Sequence, residues 1–135
     1  MLQLVELEGG TVVKAYLLII AIGLVPVALS YGASPTGVLP RFLKFNVETP
    51  NESQVFRALM CLYLASSVFW IMGALWPDWQ HAALIWAAFF MLSLALGRLL
   101  SVALDGRPTA PILNLYLAVE ICAGLLALWL MHGAG

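Results

Sequence analysis

Four stretches of this chain, at about residues 11–31, 55–76, 82–104 and 111–131, each run for close to 20 residues with almost no charge. An α-helix rises about 1.5 Å per residue, so about 20 apolar residues cross the roughly 30 Å hydrocarbon core of a bilayer. No water satisfies backbone amides at that depth, and a helix satisfies them within its own segment. The sequence therefore predicts an all-α fold. It is a four-helix transmembrane bundle, one integral membrane domain over residues 1–135, with one long interfacial loop between the first and second spans.

Composition removes several functional classes. Hydrophobic residues make up 63% of the chain and charged residues 10%, far from the quarter or so typical of soluble domains. Six Lys and Arg balance seven Asp and Glu, which leaves no basic footprint, so nucleic acid is not an expected partner. Cys61 and Cys122 fall in apolar segments without CxxC or Cys/His spacing, and both read as buried free thiols rather than as metal ligands or a redox pair. No metal site is expected. The first ten residues carry Glu6 and Glu8 instead of a basic leader region, and the apolar run that follows is too long for a leader core, so the first helix is expected to be retained.

Taken in order, the first span holds Lys14 close enough to its end to snorkel, and Gly23 and Pro26 predict a kink in its second half. Residues 32–54 turn to Pro, Gly, Asn, Thr and Ser, with Arg41, Lys44, Glu48 and Glu52 interleaved with Val38, Leu39, Phe42, Leu43, Phe45 and Val47. That mixture fits a segment lying among the headgroups, either as a solvated interfacial loop or as a lid over a pocket. Arg57 enters the second span by one turn, where an arginine usually snorkels. Trp76, Pro77, Asp78, Trp79 and Gln80 form an interfacial turn with two indoles at the boundary, and His81 beside it reads as solvated.

Two charges lie deeper. Glu120 is nine residues past Pro111, roughly 13 Å into the core, and Arg98 is seven residues before Asp105, roughly 10 Å in from the same side. An ionisable group at membrane depth costs roughly 2.5 to 3.5 kcal/mol on insertion scales, so each is expected to be the other's partner between helices. Arg98, Ser101 and Asp105 share one helix face, and Gly97 predicts close approach of a neighbouring helix there. The string Asp105-Gly106-Arg107-Pro108 is a stop and turn, in which Asp105 either shapes the turn or pairs with Arg98 or Arg107. Tyr116 shares a face with Glu120, so its hydroxyl is a candidate for the same network.

Basic residues set the orientation. Arg41, Lys44, Arg57, Arg98 and Arg107 lie at the span ends joined by the first and third connections, whereas the opposite side has Lys14 alone. The positive-inside bias then puts those connections in the cytoplasm and both termini in the periplasm of a multi-pass inner-membrane protein.

The strings FRALMCLYL at 56–64, LGRLLSVALDGRPT at 96–109 and YLAVEICAGLLALW at 116–129 resemble a family of small bacterial four-helix membrane proteins catalogued as a domain of unknown function, with a loose likeness to the DoxX group. The resemblance covers the last two thirds of the chain. It implies recurring polar positions at Arg57, Arg98, Ser101, Asp105, Gly106, Pro108 and Glu120, and an inward-facing Arg57. The family usually has glycine where this chain has Cys61. It implies an architecture and a shared polar site, without a reaction.

Three functional classes fit these residues. The leading one is a non-enzymatic module that binds a small lipophilic molecule or a larger membrane complex through a network of Arg57, Arg98, Ser101, Asp105, Tyr116 and Glu120. It assigns no catalytic residue and leaves any cofactor open. A second is a small membrane enzyme, an isomerase or quinone-linked oxidoreductase, with Glu120 as acid or base and Arg98 as anion stabiliser. A third is a proton-coupled transporter that uses Glu120 and must pair with a second copy to build a path. The expected partners are the bilayer and, beyond it, a lipophilic molecule, a membrane complex or a second copy of the chain.

Overall fold

The computed structural model describes residues 1–133, so the last two residues of the expected 1–135 domain lie outside the described residues. It is all-helical, with α1 over Leu2–Gly32, α2 over Pro35–Phe42, α3 over Pro50–Leu75, α4 over Pro77–Asp105 and α5 over Pro111–Gly133. Each of the last four helices opens on a proline. At the first helical position the missing N–H would have had no intrahelical partner, and the fixed φ already suits the helix. At α3 the start is reinforced by a reciprocal cap: the Glu52 amide donates to Thr49 Oγ1 at 3.4 Å, and the Thr49 amide donates to Glu52 Oε2 at 3.0 Å.

Four of the five helices, α1, α3, α4 and α5, are long and apolar enough to cross a membrane, the make-up of a multi-pass membrane protein. They are longer than the sequence reading allowed, because α1 continues towards the N-terminus through Glu6 and Glu8, and α4 runs unbroken from Pro77 to Asp105. The long connection is not wholly a loop. Its centre is α2, which buries Pro35 and Leu39 against the bundle while Phe42 stays half exposed. A tight bend follows at Lys44 (φ 57°), where the Lys44 ammonium donates to the Thr109 carbonyl at 3.4 Å. Beyond it the Phe45 ring lies 5.8 Å from Phe56. The connection is therefore stitched to α3 on one side and to the α4–α5 turn on the other.

α1 lies along α3, α3 along α4 and α4 along α5, whereas α1 and α5 touch only sparsely. Tyr63 and Trp70 of α3 meet Phe90 of α4 edge-on at ring separations of 5.2 and 5.4 Å, joining the two helices, and Trp86 lies tilted against Phe90 at 5.8 Å. The Trp86 indole N–H donates to Ser66 Oγ at 3.0 Å, and Ser66 returns its own proton to the Leu62 carbonyl. Much of the remaining apolar surface, such as Phe89, Leu96, Leu115 and Trp129, faces outward, as a lipid-bathed bundle requires.

Two expectations are corrected here. Cys61 and Cys122 are exposed rather than buried: Cys61 falls on the side of α3 away from its buried residues, and Cys122 borders an open hollow between α1 and α5. Gly97 has open space around its Cα, so it is not the point of closest helix contact. That role falls to Gly124, where a methyl group would meet Leu92, and to Gly73, where it would meet the Ala83 methyl and the Trp79 carbonyl.

The two kinds of glycine should separate on substitution. Gly73→Ala forces a rigid methyl and backbone apart and is expected to destabilise the protein by about 1–3 kcal/mol. Gly97→Ala fills open space and is expected to be neutral or stabilising by up to about 1 kcal/mol. Thermal unfolding of both variants in the same detergent measures the difference.

Candidate functional site

The polar residues singled out in the sequence are sorted by the fold into one buried pair and several separate groups. Arg98 on α4 donates from Nε to both oxygens of Glu120 on α5, at 2.8 Å to Oε2 and 3.1 Å to Oε1. It is the one ion pair among the described residues, with the carboxylate side chain 9% and the guanidinium side chain 21% exposed. The pairing works because Arg98 and Glu120 lie at matching depths from the α4–α5 turn, and Gly124 one turn further along lets the two helices close. The Tyr116 ring lies under the guanidinium, 5.5 Å from Arg98 Cζ, so a cation–π contact adds to the pair. Tyr31 of α1 stands beside the same guanidinium.

Ser101 and Asp105 do not join this pair. Ser101 Oγ donates to Asp105 Oδ2 at 3.3 Å on an exposed face, and α4 then ends at Gly106 (φ 91°). Of the two roles open to Asp105, the ion pair with Arg98 or Arg107 is not formed among the described residues, since the carboxylate is turned along its own helix to the serine. Both residues, together with Arg98, Arg107, Asn114 and Phe45, line a pocket of about 340 Å³ beneath the α4–α5 turn. Phe45 brings the α2 connection to the rim of that pocket.

Arg57 is separate again. It is exposed near the start of α3 and lines a shallow recess with Glu48, Thr49 and Ser53, without an ion pair. The inward orientation expected for it is not what the fold gives, because Gly32 of α1 abuts the Arg57 backbone and leaves that inner face to a helix contact. The charged network thus contracts from Arg57, Arg98, Asp105 and Glu120 to Arg98 and Glu120.

A feature absent from the sequence reading lies on the other side of Glu120. Where α1 and α5 diverge, a cavity of about 210 Å³ opens, walled by Gly23, Leu24 and Val27 of α1, Met91 of α4, and Tyr116 and Glu120 of α5, with Tyr63 of α3 among its other walls. Its apolar walls are interrupted by the carboxylate and the two tyrosines. A second hollow of about 570 Å³ continues the cleft along the same two helices to Val12 and Leu126, and the two share Ile19, Ile20, Val119 and Ala123. Ile19 and Val119 are largely exposed, so the cleft opens sideways between α1 and α5. The Tyr16 hydroxyl bridges it, donating to the Ala123 carbonyl at 2.6 Å. Gly23 leaves room because a methyl group there would meet nothing.

Tyr16, Tyr31 and Tyr63 were not picked out from sequence. Each is a hydroxyl-bearing residue inside an apolar run, which was the available signal. No three His, Cys, Asp or Glu side chains gather among the described residues.

A family model described as Domain of unknown function (DUF4345) matches residues 12–131. No curated protein and no solved structure matches the chain significantly.

Removing one partner of a buried ion pair leaves a bare charge, whereas removing both does not. Arg98→Leu is expected to cost about 3 kcal/mol or more, and adding Glu120→Leu to it is expected to recover most of that loss. A double-mutant cycle by thermal unfolding in detergent measures the coupling, and additive costs would show that the pair is not coupled.

Proposed function

The chain belongs to the DUF4345 family, and from that premise and the geometry above we propose that it is a membrane-embedded binding module for a small lipophilic molecule, held in the cleft between α1 and α5. The observation that carries this reading is the placement of one neutralised carboxylate, Glu120, in the wall of a laterally open cleft that is apolar apart from its tyrosines. Ligand sites are typically apolar hollows with few, fixed polar groups. Lateral opening lets a molecule dissolved in the bilayer enter without passing through water.

In this reading Glu120 is a fixed polar wall of the site, since both of its oxygens accept from Arg98 Nε, at 2.8 and 3.1 Å. We place the module as a single domain in a bacterial inner membrane. The connection carrying α2 and the α4–α5 turn, where the basic residues collect, is then cytoplasmic, and both termini are periplasmic.

Gly23 supplies a direct test, since it borders the cleft and a Cβ there would meet nothing within 4 Å. Gly23→Leu is expected to fill the cleft, to leave the unfolding temperature unchanged or raised, and to abolish co-purification of bilayer-derived small molecules detected by mass spectrometry of organic extracts. An unchanged extract from this variant would end the proposal.

A further inference from the structure

We propose that the occupant of the α1–α5 cleft is an uncharged, single-chain amphiphile whose head carries a hydroxyl group, with that head at Glu120 and its chain running toward Val12 and Leu126. This inference rests on the binding reading above and specifies its chemistry.

Charge balance is the first argument. Arg98 and Glu120 already neutralise each other at 2.8 Å in surroundings that are apolar apart from tyrosines. A carboxylate or ammonium head entering there would bring an unpaired charge into hydrocarbon, whereas an uncharged head brings none. Depth is the second. Glu120 is nine residues into α5, roughly 13 Å along it and close to the midplane, where a charged headgroup does not readily descend.

The hydroxyl follows from the groups left open. Glu120 lines the cavity and accepts from one Arg98 nitrogen alone, so lone pairs remain for a donor. The Tyr63 hydroxyl, in the same wall, has no hydrogen-bond partner among the described residues and can donate to a ligand oxygen. A head that both donates and accepts satisfies the two together, as an alcohol does and an ether or ester does not.

The chain follows from the shape. From Glu120 to Leu126 the cleft follows α5 for six residues, roughly 9 Å, and along α1 its lining reaches Val12. One acyl or prenyl chain fills that length. Beyond Glu120 the lining is apolar except for the Cys122 thiol and the Tyr16 hydroxyl, which is already bonded to the Ala123 carbonyl.

The test uses the full chain in phosphatidylcholine nanodiscs at mildly alkaline pH, with dodecanol, dodecanoate and dodecyltrimethylammonium as probes and empty nanodiscs subtracting bilayer partition. Wild type is expected to bind dodecanol at least about tenfold more tightly than either charged probe. In Glu120→Gln, which leaves the Arg98 charge unopposed, dodecanoate is expected to gain about tenfold relative to dodecanol. Equal binding of all three probes by wild type would overturn the uncharged head while leaving the lipophilic site intact. Failure of every probe to bind would remove both. The wild-type comparison stands alone should the variant fail to fold.

Discussion

An ionised side chain in hydrocarbon needs a counter-charge, and among the described residues that need is met once, between Arg98 and Glu120. Much of the bundle's interior order can be traced to it. Two helices joined by a short turn must bring a donor and an acceptor to the same depth, which fixes the register of α4 against α5. Gly124 then lets the backbones close near Leu92, and the Tyr116 ring completes the surroundings of the guanidinium. The gain from such a pair over a well-packed apolar equivalent is often small. Its more secure contribution is to exclude alternative registers, in which either charge would stand alone among acyl chains.

The cleft arises from chain connectivity combined with side-chain size. α1 is seated on α3 and α5 on α4, while no comparable surface joins α1 to α5. Gly23 and Ala123 present little bulk where those two helices face each other. Phe45, just past the bend at Lys44, borders the other side, at the pocket that contains Asp105 and Arg107. Glu120 therefore borders an apolar space, and Arg98 behind it borders a polar one, with the ion pair forming the partition.

The span positions were legible in the sequence because hydrocarbon solvent imposes length and apolarity on each crossing. The Arg98–Glu120 contact was legible for a related reason: matching depth, counted in residues from a shared turn, is preserved in the folded hairpin. The sequence was less informative about faces. Cys61 and Cys122 read as interior residues, yet in a lipid-facing helix apolar residues occupy every side, so periodicity does not separate the packed stripe from the solvated one. The same loss of contrast placed Gly97 in a helix contact, whereas the inward Arg57 came from the family resemblance, the residues alone having suggested a snorkelling arginine. The cleft itself depends on how two sequence-distant helices diverge, which no local pattern encodes. α2 was half legible, as apolar residues among basic ones, but its helical form depends on Leu39 finding a buried seat.

The Tyr16 hydroxyl, donating to the Ala123 carbonyl, is a polar tie across a seam where α1 and α5 otherwise meet little. Elsewhere along that seam α1 and α5 are positioned through the helices on which each is seated, α3 and α4, so a single phenol sets the spacing of the two cleft walls at its own level.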